Sequence, residues 1–201
     1  MKRQPPADTS KFHSRDCGTK YRGCAPDCPK DTYEITGEWT GPSFPHNGEV
    51  RAIPSPFSPG AFGAVRKHDL HTGIDLYCDT GTNVLAIERG IVVAVVEFTG
   101  PDADSPWWNP TKAILVDGVS GVICYGEVFP NVTVGDEVRP GQVIGCVIPV
   151  LKKDKGRPMT MLHLELYVSG TREPVAWDLG AHIPTGLLDP TPLILSLLAC
   201  T

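Results

Sequence analysis

The sequence predicts an all-β fold, a compact antiparallel and sandwich-like sheet assembly, and three observations carry that prediction. Short Val- and Ile-rich runs recur from about residue 71, with Gly or Asp-Gly between several of them. The 21 Gly and 20 Pro in 201 residues leave little room for long helices. Only one segment, "DPTPLILSLLA" near the C-terminal end, reads as a helix, with Asp189 or Thr191 as cap and a proline in its first turn.

Residues 1–60 are rich in Pro, Gly and polar side chains, close on "PSPFSPG", and hold neither a helical nor a strand period. They read as an irregular arm, and residues 61–201 as one domain. Within the arm, "HSRDCGTKYRGCAPDC" brings His13, Cys17, Cys24 and Cys28 close in sequence. A Cys₃His site for a second Zn²⁺, a disulfide and plain thiols are all open there, because the spacing matches no common finger.

The strand runs follow in order: "GIDLYC", "TNVLAI", "IVVAVVEF", "KAILVD", "GVICYGEV", "QVIGCVI" and "MLHLELYV". Each is short, apolar and bounded by turn residues. The segment "GDEVRPGQVIGCV" has the turn and strand pattern of biotinyl and lipoyl carriers, but no "MKM" or "DKA" supplies the lysine that a carrier modifies. A carrier role is therefore set aside.

Composition narrows the partners. With 18 Lys+Arg against 23 Asp+Glu, a net charge of −5 and no basic run longer than "LKK", a phosphate backbone has nothing to follow, so no nucleic acid partner is expected. No apolar region follows "MKRQPPADTS", and no window approaches the roughly 18 apolar residues of a membrane span. A soluble chain without a signal peptide is expected. Of the 7 cysteines, Cys78, Cys124, Cys146 and Cys200 are scattered through apolar segments and are expected to be mostly reduced and buried.

Chemistry concentrates in two places. In "HTGIDLYCDTGTNVLAIERGIVVAV", residues 71–95, His71 and Asp75 stand four apart and share a face of a strand. In "TMLHLELY", residues 160–167, His163 and Glu165 point away from Leu162, Leu164 and Leu166. Imidazole nitrogen and carboxylate oxygen both suit Zn²⁺, and three such ligands leave a tetrahedral ion one position for water. Either motif alone is weak, since an isolated strand histidine is more often satisfied locally than bound to metal. His68, on the other strand face, is not expected to join them.

Together the motifs resemble those of the lysostaphin-type peptidoglycan endopeptidases over roughly residues 68–192. The family segment "HxGxDxxxxxGTxVxAxxxGxV" matches "HTGIDLYCDTGTNVLAIERGIV" position for position. The resemblance implies one Zn²⁺ held by His71, Asp75 and His163, peptidoglycan as partner, and hydrolysis of its peptide bonds. Two family histidines are replaced: the first of "HLHFE" by Met161 and the one in "YxHL" by Glu127. Thioether sulfur moves no proton, whereas a carboxylate can act as general base, so Glu127 is a candidate base and a solvated strand carboxylate is the other reading. Loss of a donor at Met161 would cost about 3 kcal/mol of oxyanion stabilisation, which Tyr125 is expected to offset in part. Glu165 is expected to orient a ligand histidine.

Trp107 and Trp108 in "SPWWNPTK" are candidates for stacking on wall sugars or gripping a peptide, against core closure by one of them. Lys153 and Arg157, in "KKDKGRP", could meet an acidic stem peptide or form a solvated hairpin tip. A metal- or wall-binding protein without hydrolysis is the alternative that Met161 motivates. Delivery without a signal peptide fits a phage lytic or virion-associated protein, with virion partners, or one held in the cytoplasm until release.

Overall fold

Each of these runs forms a strand in the computed structural model, which describes residues 45–47, 53–56, 58–153 and 159–199. With two further short strands, the strands in chain order are β1 (Ile74–Tyr77), β2 (Asn83–Leu85), β3 (Gly90–Thr99), β4 (Thr111–Gly118), β5 (Gly121–Pro130), β6 (Glu137–Val138), β7 (Val143–Val147), β8 (Met161–Tyr167) and β9 (Leu187–Leu188). Two of these, β6 and β9, span only two residues, too few to show a period in the sequence. Helix α1 (Thr191–Ala199) forms as predicted, and the Asp189 carboxylate accepts the Thr191 N–H at 2.8 Å. No helix among the described residues is long and apolar enough to cross a membrane.

The strands form one antiparallel sheet in the order β1-β8-β5-β4-β3-β6, with β9 beside β8. Strand β5 is long enough to pair twice: its first half with β8, its last three residues with β7, which in turn pairs with β2. That branch makes the sheet sandwich-like. Side chains from β2 and β7 (Val84, Ile144, Val147) share a core with Ile74, Leu76, Ile123, Leu162 and Leu164, and Ile194 and Leu197 of α1 join it. Burying each such side chain contributes roughly 1.5–3 kcal/mol.

The other face carries a smaller cluster, including Leu115, Val122, Cys124 and Tyr167, with Phe62 and Trp177 against it. Alternation along β1 and β8 puts Asp75, His163 and Glu165 on this second face. Leu162, Leu164 and Leu166 pack on the first, as expected.

Part of the arm joins the sheet. The Leu85 N–H donates to Pro45 O, and His46 bridges Val84, so residues 45–47 lie along the outer edge of β2. Closer to the domain, Gly60 O accepts the Asp75 N–H at 2.9 Å. Cys78 and Cys124 are buried thiols, whereas Cys146 is disulfide-bonded. Cys146 is thus the exception, among the described cysteines, to the expectation of mostly reduced thiols, since apolar surroundings report burial and not oxidation state.

A candidate metal centre at the β1–β8 crossing

Antiparallel pairing of β1 with β8 sets Asp75 directly opposite His163. His71 lies before β1 rather than within it, and the chain brings its ring back over Asp75. Three atoms converge: His71 Nε2 and His163 Nδ1 are 3.0 Å apart, and Asp75 Oδ1 is 3.1 Å from each. Gly73 permits the approach, because a Cβ there would stand 2.3 Å from Leu164 O and 2.9 Å from His163 Nε2. All three side chains are buried.

The outer bonds of these residues decide which lone pairs face inward. His71 Nδ1 donates to Ala61 O at 2.9 Å, leaving the Nε2 lone pair for the centre. His163 Nε2 donates to Glu165 Oε1 at 3.1 Å, leaving Nδ1. Glu165 is itself held by Thr72 Oγ1 at 2.5 Å and by the Tyr167 hydroxyl at 2.8 Å, which fixes the carboxylate that His163 Nε2 meets. Spacings of 3.0–3.1 Å approach the about 3.3 Å edge of a tetrahedron around zinc. The donor set fits a divalent metal ion, and these three residues form a group able to hold one.

The site is a hydrogen-bonded acid–base cluster. Burial opposes charge on His163, but its hydrogen bonds to Asp75 and Glu165 prevail and hold its pKa at about 10. Burial works against the charge on Asp75 too, but hydrogen bonds with His163 and His71 keep its carboxyl well below the usual carboxylate range. Burial pushes His71 down. Metal binding therefore requires His163 Nδ1 to give up a proton.

Glu127 belongs to this cluster. It follows Gly126, which pairs with His163, and its Oε2 is buried with no hydrogen-bond partner among the described residues. Burial, then the Asp75 charge, push its carboxyl up to about 8, while His163 and Arg66 act in the opposite sense. The reading of Glu127 as a solvated strand carboxylate is thereby corrected.

Tyr125 requires a further correction. Between Lys112 and Ile114 the β4–β5 register shifts, so Gly126 and Glu127 together oppose the single residue Ala113 in a β-bulge, with Glu127 at φ 65°. The extra residue breaks the alternation that would have put Tyr125 and Glu127 on one face. Tyr125 instead fills the first core, and its hydroxyl accepts the Ile87 N–H at 2.9 Å. It has no access to the centre.

Met161, half-buried, opens the face of β8 that carries His163. Phe98 lies against the His163 ring with centroids 5.3 Å apart, and Gly126 makes room for it, since a Cβ there would meet the Phe98 ring at 2.6 Å. Beyond Phe98, the 100–110 loop is latched to the chain after β7: Asn109 Nδ2 donates to Pro149 O, Trp108 bridges Leu151, and Lys152 Nζ donates to Pro106 O. This mount leaves Trp107 64% exposed and Trp108 half-buried, their rings edge-on at 6.3 Å. Lys153 is exposed, while Arg157 and the candidate second zinc site at His13, Cys17, Cys24 and Cys28 lie outside the described residues.

Sequence reasoning missed Arg66, whose Nη2 donates to Asp75 Oδ2 at 2.8 Å, and the parts played by Thr72, Tyr167 and the Ala61 carbonyl. Period-two spacing on β8 from Glu165 to Tyr167 could have signalled the tyrosine. Nothing local could have signalled the carbonyl.

Residues 69–175 match Peptidase family M23. Among solved structures, the chain is 21% identical to a Pseudomonas aeruginosa protein described as a peptidase M23, covering 77% of this chain and 50% of that one, with a TM-score of 0.44. For the solution structure of lysostaphin the values are 21% identity, 80% and 56% coverage, and a TM-score of 0.48. For Helicobacter pylori Csd3 in its orthorhombic crystal they are 23%, 80%, 40% and 0.41. The chain thus spans between about two fifths and just over half the length of these structures. No curated protein matches it. With more than half of its length matched, and with the fold and the His-Asp-His cluster described above, the chain belongs to Peptidase family M23.

Proposed function

We propose that the chain is a zinc-dependent endopeptidase that hydrolyses peptide bonds of bacterial peptidoglycan. The observation that carries this reading is the convergence of His71 Nε2, Asp75 Oδ1 and His163 Nδ1 beside a buried carboxylate whose Oε2 has no hydrogen-bond partner among the described residues. His71, Asp75 and His163 would hold one Zn²⁺, whose chemistry when bound is to polarise the scissile carbonyl and acidify a water molecule. Glu127 accepts the proton of the attacking water and passes it to the leaving amine. A divalent cation nearby favours the ionised Glu127 that this role needs. Glu165 and Tyr167 keep the His163 ring turned so that Nδ1 faces inward. Phe98 shields that ring from water. At the rim, Trp107 offers an exposed aromatic face to wall sugars or peptide, with Trp108 as its mount, and Lys153 and Arg157 offer charge to acidic stem peptides.

The test is release of new amino termini from purified walls of several chemotypes by zinc-loaded protein, with Glu127→Gln beside it. Release by wild type and its loss in the variant are expected; zinc-loaded wild type that releases none overturns the hydrolytic reading. Met161 favours a second reading, a wall-binding protein that keeps the site without cutting. Sedimentation with walls that remain uncut would establish it. The cell wall is the place of action under both readings, and delivery as a phage virion component is the context in which virion partners would be sought.

A further inference from the structure

Asp75 divides its two oxygens between two tasks. Oδ1 faces the centre, 3.1 Å from both His71 Nε2 and His163 Nδ1. Oδ2 faces the other way and accepts the Arg66 Nη2 hydrogen at 2.8 Å. Arg66 is not held by Asp75 alone. Its Nη2 also reaches Pro59 O at 3.3 Å, and its backbone N–H donates to Asp69 O at 2.9 Å. The turn that carries it is tied to His71 by the Gly63 N–H to His71 O and the His71 N–H to Ala64 O. One short hairpin thus places both a metal-site histidine and the guanidinium that claims the far oxygen of the aspartate.

A carboxylate with both oxygens available can grip a cation through one or both. With two imidazoles already present, single-oxygen binding leaves a tetrahedral ion an open position, whereas two-oxygen binding crowds it. Which mode prevails depends on what engages the second oxygen. Here the competitor is a charged donor whose side chain is one-third exposed, beside an aspartate side chain only 6% exposed.

We propose that Arg66 is a positioning residue that restricts Asp75 to a single metal-facing oxygen and so preserves the coordination position at which water or substrate is taken up. The assignment rests on the metal site of the proposed function but not on hydrolysis. It differs from a plain structural ion pair, which would offset the buried charge of Asp75 and leave the coordination of the ion unchanged.

The experiment is zinc X-ray absorption spectroscopy on the full chain loaded with one equivalent of Zn²⁺, comparing wild type with Arg66→Lys, Arg66→Met and Arg66→Ala. Circular dichroism follows the fold and metal analysis follows occupancy. Wild type and Arg66→Lys, which retains a charged donor, are expected to share a four-neighbour sphere. The two uncharged variants are expected to gain a fifth and longer oxygen neighbour. Two replacements of different size are used so that one serves if the other fails to fold. A sphere in the folded uncharged variant identical to that of wild type overturns the proposal, whatever happens to the melting temperature. Wild type that holds zinc with four neighbours yet cuts no wall removes the hydrolytic reading and leaves the role of Arg66 standing. Wild type that takes up no zinc removes both.

Discussion

Glu127→Gln should make the metal-free protein more stable while sharply lowering its activity, and the size of the gain follows from where the carboxylate sits. The Glu127 carboxyl is buried, Oε2 has no hydrogen-bond partner among the described residues, and its pKa is pushed from the ordinary 4.5 up to about 8. Below pH 4.5 both folded and unfolded chains hold the proton, so Glu127 contributes no pH dependence. Between 4.5 and about 8 the unfolded chain releases the proton and the fold retains it, so stability falls as pH rises. At about 1.4 kcal/mol per pH unit the cost is roughly 3 kcal/mol at pH 7 and levels off near 5 kcal/mol above pH 8. Glutamine carries no charge and exchanges one unpartnered polar atom for another. The variant should therefore match wild type near pH 4 and exceed it by a margin that grows with pH. Urea denaturation of metal-free protein at pH 4, 5.5 and 7 measures that margin. A difference constant across this range would refute the buried, proton-retaining Glu127. The same substitution should lower wall hydrolysis by about 10²–10⁴-fold, the usual contribution of a general base. A residue costly to the fold and needed for the reaction is typical of a functional site.

Other consequences are open to direct measurement. Because His163 holds its proton to about pH 10 and Glu127 to about pH 8, zinc binding should release at least one proton, and apparent affinity in chelator competition should rise at least about tenfold per pH unit from 6 to 8; a flat profile would contradict this. Met161→His restores a donor on the face of His163 and should raise the rate of wall hydrolysis by up to about 10²-fold, read as new amino termini per minute. Trp107→Ala should change stability by less than about 0.5 kcal/mol yet weaken binding to walls, since the side chain is 64% exposed. Trp108→Ala should destabilise by about 1–3 kcal/mol in the same denaturation assay, because that ring is half-buried in the mount. Equal effects of the two substitutions would count against the division of roles.

Local chemistry settled much of this protein in advance. Strand periods of two, turn glycines and a capped terminal helix are short-range signals, so the seven longer strands and α1 could be read from neighbours in the chain. The family resemblance of two motifs marked His71, Asp75 and His163 before their distances were known, although His71 lies before β1 and not on its face. Long-range pairing decided the rest. Whether Tyr125 shares a face with Glu127 depended on one extra residue in β5 opposite Ala113, and a bulge is a property of two strands that neither carries alone. Arg66 could be joined to Asp75 only once the hairpin before β1 had folded back, nine residues away in sequence and 2.8 Å in space. The burial that raises Glu127 to about 8 comes from the assembled strands around it, because desolvation is set by everything packed near a group and by no single neighbour. Sequence therefore determined which groups were present and on which strands, and tertiary structure determined which of them lost water, which paired, and which kept a lone pair free.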